Sequence, residues 1–260
     1  KTAYEIRNCD WSSDVCSSDL FKNMKFINLS YVFLFIFLFF SCQNIKKSDN
    51  PNVIFVLTDD LGFADLSSYG STMIKTPNLD LMASQGALLN SYYSTQAVCS
   101  ASRASILAGV YPNRIGFSGA LGPNSKKGIH PNEFLISEMF KQSGYNTAIY
   151  GKWHLGDNAK FLPTNHGFDD FYGILYSNDM WPYHAEYPDS YPDLMLYDKD
   201  KPIQILTDQS DLTMDLTYKS IDFIEKNKYL LKLIFFSLIN LSFRYFKKKY
   251  TKVVAQKLDE

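Results

Sequence analysis

Pro51-Asn-Val-Ile-Phe-Val-Leu-Thr-Asp-Asp-Leu-Gly62 is the stretch on which the fold turns. Asn52 to Leu57 is a short apolar run of β-branched and large residues, the composition of a parallel strand buried on both faces. It stops at Thr58-Asp59-Asp60, so two adjacent carboxylates stand at the carboxyl end of a strand, where open α/β sheets place their ligands. Paired hard oxygen donors suit Ca²⁺ or Mg²⁺. The same pair also suits a turn or a helix cap, and by itself does not choose between them.

Working outward, Thr76-Pro77-Asn78-Leu79-Asp80 reads as a turn and helix start, with the helix continuing over Leu81 to Leu89 and Gly86 near its end. Then comes Val98-Cys-Ser-Ala-Ser-Arg-Ala-Ser-Ile-Leu-Ala-Gly-Val-Tyr-Pro-Asn-Arg114. Ser100 to Leu107 has no Pro or Gly and predicts a helix that Gly109 and Pro112 end. Cys99 and Arg103, four apart, point the same way, and a helix N-terminus favours anions. A nucleophile there, backed by a guanidinium, suits attack on a tetrahedral oxyanion ester. A lone Cys is also more often a small buried hydrophobe than a nucleophile.

Gly116 to Ile129 is rich in Gly, Pro and Asn and reads as a surface loop. Glu133 to Gln142 is a helix with Phe134, Leu135, Met139 and Phe140 at core-packing spacing. Tyr145 to Tyr150 is the next strand, and it runs into Gly151-Lys-Trp-His-Leu-Gly156. Gly167 to Gly173 is a structural block. Met180 to Pro192 is an aromatic, Pro-rich loop whose rings either stack on a sugar or aryl group or simply pack. His166 and His184 carry no specific assignment. Leu212 to Glu225 is an amphipathic helix with Leu216, Ile221 and Ile224 on one side.

Three of these blocks resemble the sulfatase family, in its arylsulfatase-like, formylglycine-dependent form. They are Asp59-Asp60-Leu61-Gly62 with Tyr69-Gly70, Cys99-Ser-Ala-Ser-Arg103 with Gly109 and Arg114, and Gly144-Tyr-Asn-Thr followed by Gly151-Lys-Trp-His-Leu-Gly156. The resemblance covers about Asn52 to Lys226. It implies an alkaline-phosphatase-like α/β fold, with a mixed, mostly parallel sheet flanked by helices, here in truncated form. It implies that Cys99 is oxidised to formylglycine by a maturation enzyme and that the aldehyde hydrate is the nucleophile. It further implies that Asp59, Asp60 and the residue at Cys99 hold a divalent cation, usually Ca²⁺. Lys152 and Arg103 would offset sulfate charge, and His154 would hold the nucleophile or donate a proton. Sulfate-ester hydrolysis on a sulfated small molecule or glycan is the implied activity.

The bounds agree with one α/β domain or part of a larger one. The chain has 260 residues, a net charge of -1 and a sequence pI near 6.5, values that argue against a nucleic-acid binder. Residues 1–23 have no periodicity and resemble translated sequencing-adapter DNA, or else form a disordered leader. Met24 to Ser41 has the layout of a signal peptide, with the apolar run Tyr31 to Phe40 shorter than a membrane-spanning helix needs. Ser41-Cys42 resembles a lipobox, with residues 42–50 as tether; an uncleaved membrane anchor is the alternative. Either arrangement exports the protein, to the periplasm or to the outer membrane and cell surface. Cys99 is then the single cysteine of the mature soluble part, and no disulfide framework exists.

The sulfatase-like domain is therefore expected over residues 51–228. Residues 229–260 read as a divergent tail, with the look of a shifted reading frame. A basic membrane-surface helix and a buried strand are the alternatives for Tyr229 to Lys249. Two rival functions stand beside sulfate hydrolysis. One is a phosphatase or phosphodiesterase of the same superfamily, and the other is an inactive truncated remnant.

Overall fold

The computed structural model describes residues 50–238. The expected leader, signal peptide, Cys42 lipobox and tether, and the tail beyond 238, lie outside the described residues. The strands are β1 (Val53–Thr58), β2 (Asn146–Lys152), β3 (Asp170–Ile174), β4 (Met195–Asp198), β5 (Lys201–Ile205) and β6 (Lys232–Leu238). The α-helices are α1 (Pro77–Gln85), α2 (Cys99–Ala108), α3 (Ile136–Gln142) and α4 (Leu212–Lys226). The strands form one sheet in the order β1-β6-β2-β3-β4-β5. β1, β6, β2 and β3 run parallel, β4 is antiparallel to β3, and β5 is antiparallel to β4. This is the mixed, mostly parallel α/β sheet that the family resemblance implies.

Side chains alternate across the sheet, as a period of two requires. Ile149 of β2 and Phe235 of β6 join Ala101, Ala104 and Leu107 of α2 in one core. Their neighbours Ala148, Tyr150 and Ile234 join Leu212, Leu216 and Phe223 of α4 in the other. On the α2 side, Phe55 and Phe235 stack with centroids 4.9 Å apart.

Several elements differ from their sequence reading. β1 is not buried on both faces. Phe55 and Leu57 pack into the α2 core, but Ile54 and Val56 are each 38% exposed. The reason is position: β1 is the terminal strand, and α4 packs on β2, β6 and β3 instead. Helix α1 stops at Gln85, before the Leu89 expected. Helix α3 begins only at Ile136, where Glu138 accepts a hydrogen bond from the Leu135 amide at 2.8 Å. Phe134 and Met139 are exposed there, while Leu135 takes the core position. On α4 the buried stripe runs through Leu212, Leu216, Ser220 and Phe223, with Ile221 and Ile224 at its margin.

Lys232 to Leu238, inside the segment set apart at 229–260, is a parallel strand in the middle of the sheet. It pairs with β1 on one side and β2 on the other. Of the alternatives for this stretch, the described part adopts the buried strand. Among the described residues no helix is long and apolar enough to cross a membrane.

Candidate active site

The parallel strands all point their carboxyl ends at one rim, and the chemistry collects there. Asp59 and Asp60 follow β1. Lys152 ends β2, Ser237 lies near the end of β6, and Ser177 follows β3. Helix α2 starts at the same rim. Val98 is its N-cap in extended conformation, so Cys99 is the first helical residue, and Gly109 in left-handed conformation (φ 67°) closes it. Cys99 is a half-buried free thiol.

Arg103, one turn along α2, is 2% exposed. Its Nη2 donates to Asp59 Oδ1 at 3.0 Å. Its Nη1 donates to the Lys152 carbonyl and to Ser237 Oγ, each at 2.7 Å. Lys152, with no exposed surface, donates from Nζ to Asp59 Oδ2 at 2.7 Å and to Ser177 Oγ at 3.0 Å. One carboxylate thus spans two buried cations. Burial pushes the Asp59 carboxyl up, but Arg103 and Lys152 outweigh it and hold it below its ordinary value. Burial also draws the Arg103 guanidinium down, against the pull of Asp59.

His154 follows the strand in a left-handed conformation, φ 61°, which is strained for a residue with a Cβ. Its ring Nε2 lies 2.7 Å from the Leu121 carbonyl. A carbonyl only accepts, so Nε2 carries the proton and Nδ1 keeps its lone pair. Among the described residues, Nδ1 is buried without a hydrogen-bond partner. Burial, and after it the charge of Lys152, draws the imidazole from 6.5 to about 4. The ring is neutral at ordinary pH. Leu121 is itself fixed, because its amide donates to Ser100 Oγ of α2 at 2.9 Å. The 116–129 loop is therefore tied to the site, and Phe117 and Ile129 are buried rather than on the surface.

The structure brings all six singled-out residues to one rim. Asp59, Asp60 and Cys99 each offer an atom within 4.8 Å of the others'. Two carboxylates converging beside Cys99 fit a hard divalent cation in kind. Each carboxylate oxygen of Asp59 has a lone pair beyond the one that Arg103 or Lys152 engages. Ca²⁺ takes six to eight oxygens, so these residues would supply part of its shell. Sequence reasoning missed Ser177, Ser237, Ser100 and the Leu121 carbonyl, which position the named residues. Serines carry no pattern of their own. Ser237 was findable only through recognition of β6 as a strand.

Known proteins match the region of the chain that carries this rim. A family model described as Sulfatase matches residues 51–256. The chain is 38% identical over 188 residues to N-acetylgalactosamine-6-sulfatase of Rattus norvegicus, covering 67% of this chain and 36% of that protein. It thus spans about a third of that relative's length. The PsFucS1 sulfatase from Pseudoalteromonas sp. matches in structure with a TM-score of 0.65 and 28% identity, over 76% of this chain and 45% of that one. A protein solved in complex with its substrate D-glucosamine-2-N,6-O-disulfate matches with a TM-score of 0.56 and 27% identity, over 73% of this chain and 34% of that one.

Proposed function

The chain belongs to the sulfatase family, and from that premise we propose that its site serves the hydrolysis of a sulfate monoester on a sulfated sugar. In the net reaction, water is consumed and an alcohol and inorganic sulfate are released. The supporting observation is the pairing of Arg103 and Lys152 on the single carboxylate of Asp59, beside Cys99. Two buried cations with one counter-charge favour an anion, and a tetrahedral oxyanion bridges such donors. The sugar substrate is proposed by analogy with the relative named for N-acetylgalactosamine 6-sulfate and with the protein solved on a disulfated glucosamine.

Each residue has a role in this reading. Asp59 and Asp60 would hold a divalent cation, Ca²⁺ or Mg²⁺, which when bound polarises a sulfate oxygen. Cys99, converted to formylglycine by a maturation enzyme, supplies the attacking oxygen. The buried Arg103 and Lys152 offset the charge of the sulfate from behind Asp59. His154 is neutral near pH 7 and bears its lone pair on Nδ1, so it accepts a proton rather than donating one. Export, through the signal segment and a lipid on Cys42, belongs to the same reading.

The test is release of inorganic sulfate from a 6-sulfated N-acetylhexosamine, beside release of phosphate from its 6-phosphate counterpart. Sulfate release that is abolished in Cys99→Ala supports the reading. Phosphate release alone, or sulfate release undiminished in Cys99→Ala, overturns it.

A further inference from the structure

Beyond Ser177, the residue that holds Lys152 Nζ, the chain enters a cavity of about 510 Å³ that the sulfate chemistry leaves unused. Its lining includes Asn178, Asp179, Trp181, Tyr183, Glu186 and Gln209. The volume is that of a small-molecule site. Trp181 is half-buried and packs on the α4 core, which fixes its ring. Tyr183, 63% exposed, meets it edge to face with centroids 5.0 Å apart. Gln209 donates from Nε2 to the Asn178 carbonyl at 2.8 Å, so its own amide oxygen is left to accept. His184, also on the lining, accepts the amides of Glu186 and Tyr187 on Nδ1 at 3.1 and 3.0 Å. Its Nε2 is therefore the atom that donates.

An anchored indole, a second ring and a mixture of donors and acceptors match a pyranose, whose faces are apolar and whose edge is hydroxyl. The charge is one-sided. The carboxylates on its lining are Asp179 and Glu186, and no Lys or Arg stands among the lining residues. A neighbouring sulfate or carboxylate would meet like charge there. Resting on the sulfatase reading for its neighbour, we propose that this cavity is a subsite for the sugar adjoining the sulfated one, and that it takes a neutral or amino sugar and rejects an anionic one.

Saturation-transfer NMR and titration calorimetry on the full chain test this with chitobiose, its mono-6-sulfate, a disaccharide sulfated on both sugars, and sodium sulfate. Unsulfated chitobiose should contact the protein, and Trp181→Ala should weaken its binding at least about 10-fold while leaving the affinity for inorganic sulfate unchanged. The exposed Tyr183→Ala, which disturbs no core, should weaken chitobiose binding about 3-fold. The second sulfate should cost about 10-fold in affinity, and Asp179→Asn with Glu186→Gln should remove most of that penalty. No contact with chitobiose, or chitobiose binding indifferent to both ring substitutions, overturns the subsite. So does a second sulfate that strengthens binding. Chitobiose binding that depends on Trp181, in a chain that neither binds sodium sulfate nor gains affinity from the mono-6-sulfate, upholds the subsite and overturns the sulfatase reading instead.

Discussion

Lys152 Nζ and Asp59 Oδ2 lie 2.7 Å apart although β1 and β2 are not neighbours in the sheet. Lys152 has no exposed surface, and Arg103 on the same carboxylate keeps 3% of its side chain exposed. Removing the shared anion leaves two buried cations without a counter-charge. Asp59→Asn should cost about 3–5 kcal/mol, the usual penalty for breaking a buried pair. Urea unfolding of the two proteins measures it, and a cost below 1 kcal/mol would show that the cations are not held by this carboxylate.

Ser237 Oγ accepts from Arg103 Nη1 at 2.7 Å inside the core of the rim. Ser237→Ala deletes an acceptor from a buried charged donor, and about 1–3 kcal/mol should be lost. Ser237→Thr keeps the hydroxyl and should recover most of it. The readout is again the denaturation midpoint, and equal losses in both variants would refute a hydrogen-bonding role.

Gly151 separates a strained backbone from a steric clash. At φ 117°, a Cβ on it would stand 1.9 Å from the Ser237 carbonyl oxygen. Gly70 is also left-handed, at φ 98°, but opens onto free space. Gly70→Ala should cost about 1 kcal/mol from backbone strain alone. Gly151→Ala carries the same strain and must also force β2 from β6, so it should lose at least about 3 kcal/mol. Thermal unfolding of the two variants side by side gives the difference.

The pH dependence follows from His154. Its folded value of about 4 lies below the ordinary 6.5. Between those values the unfolded chain binds a proton that the native chain does not. Stability therefore rises with pH across this window and falls as pH drops from 6.5 to 4. The span corresponds to about 3 kcal/mol. Burial draws His166 in the same direction and steepens the slope. Urea midpoints from pH 4 to pH 8 should show the rise. His154→Asn, chosen because Asn tolerates a left-handed backbone, should flatten it without abolishing it. An unchanged slope in that variant would assign the effect elsewhere.

Much of the site was legible because its parts are local. Asp59 and Asp60 end a recognisable strand, Cys99 and Arg103 share one helical turn, and Lys152 ends the next strand two residues before His154. What the sequence hid is long-range. Leu233 to Leu238 is an apolar run with no punctuation, which suits a strand, a buried helix or a membrane surface equally. Only pairing with two distant strands decides among them. The solvent exposure of Ile54 and Val56 was hidden for the same reason, since a strand's place in the sheet order is not written in its own residues. Ser177 and Ser237 act through geometry, and geometry has no letter code.

The sheet order also dictates when the site can exist. β6 lies between β1 and β2, and the Lys232 amide reaches back 180 positions to Asn52 Oδ1. A nascent chain holds Asp59, Cys99, Arg103 and Lys152 well before the strand that seats them has been made. Until then β1 has no partner, and its apolar residues stand beside a gap in the sheet. Folding must close that longest loop last, which predicts slow, all-or-none assembly and a long interval in which the emerging strands need protection from mispairing.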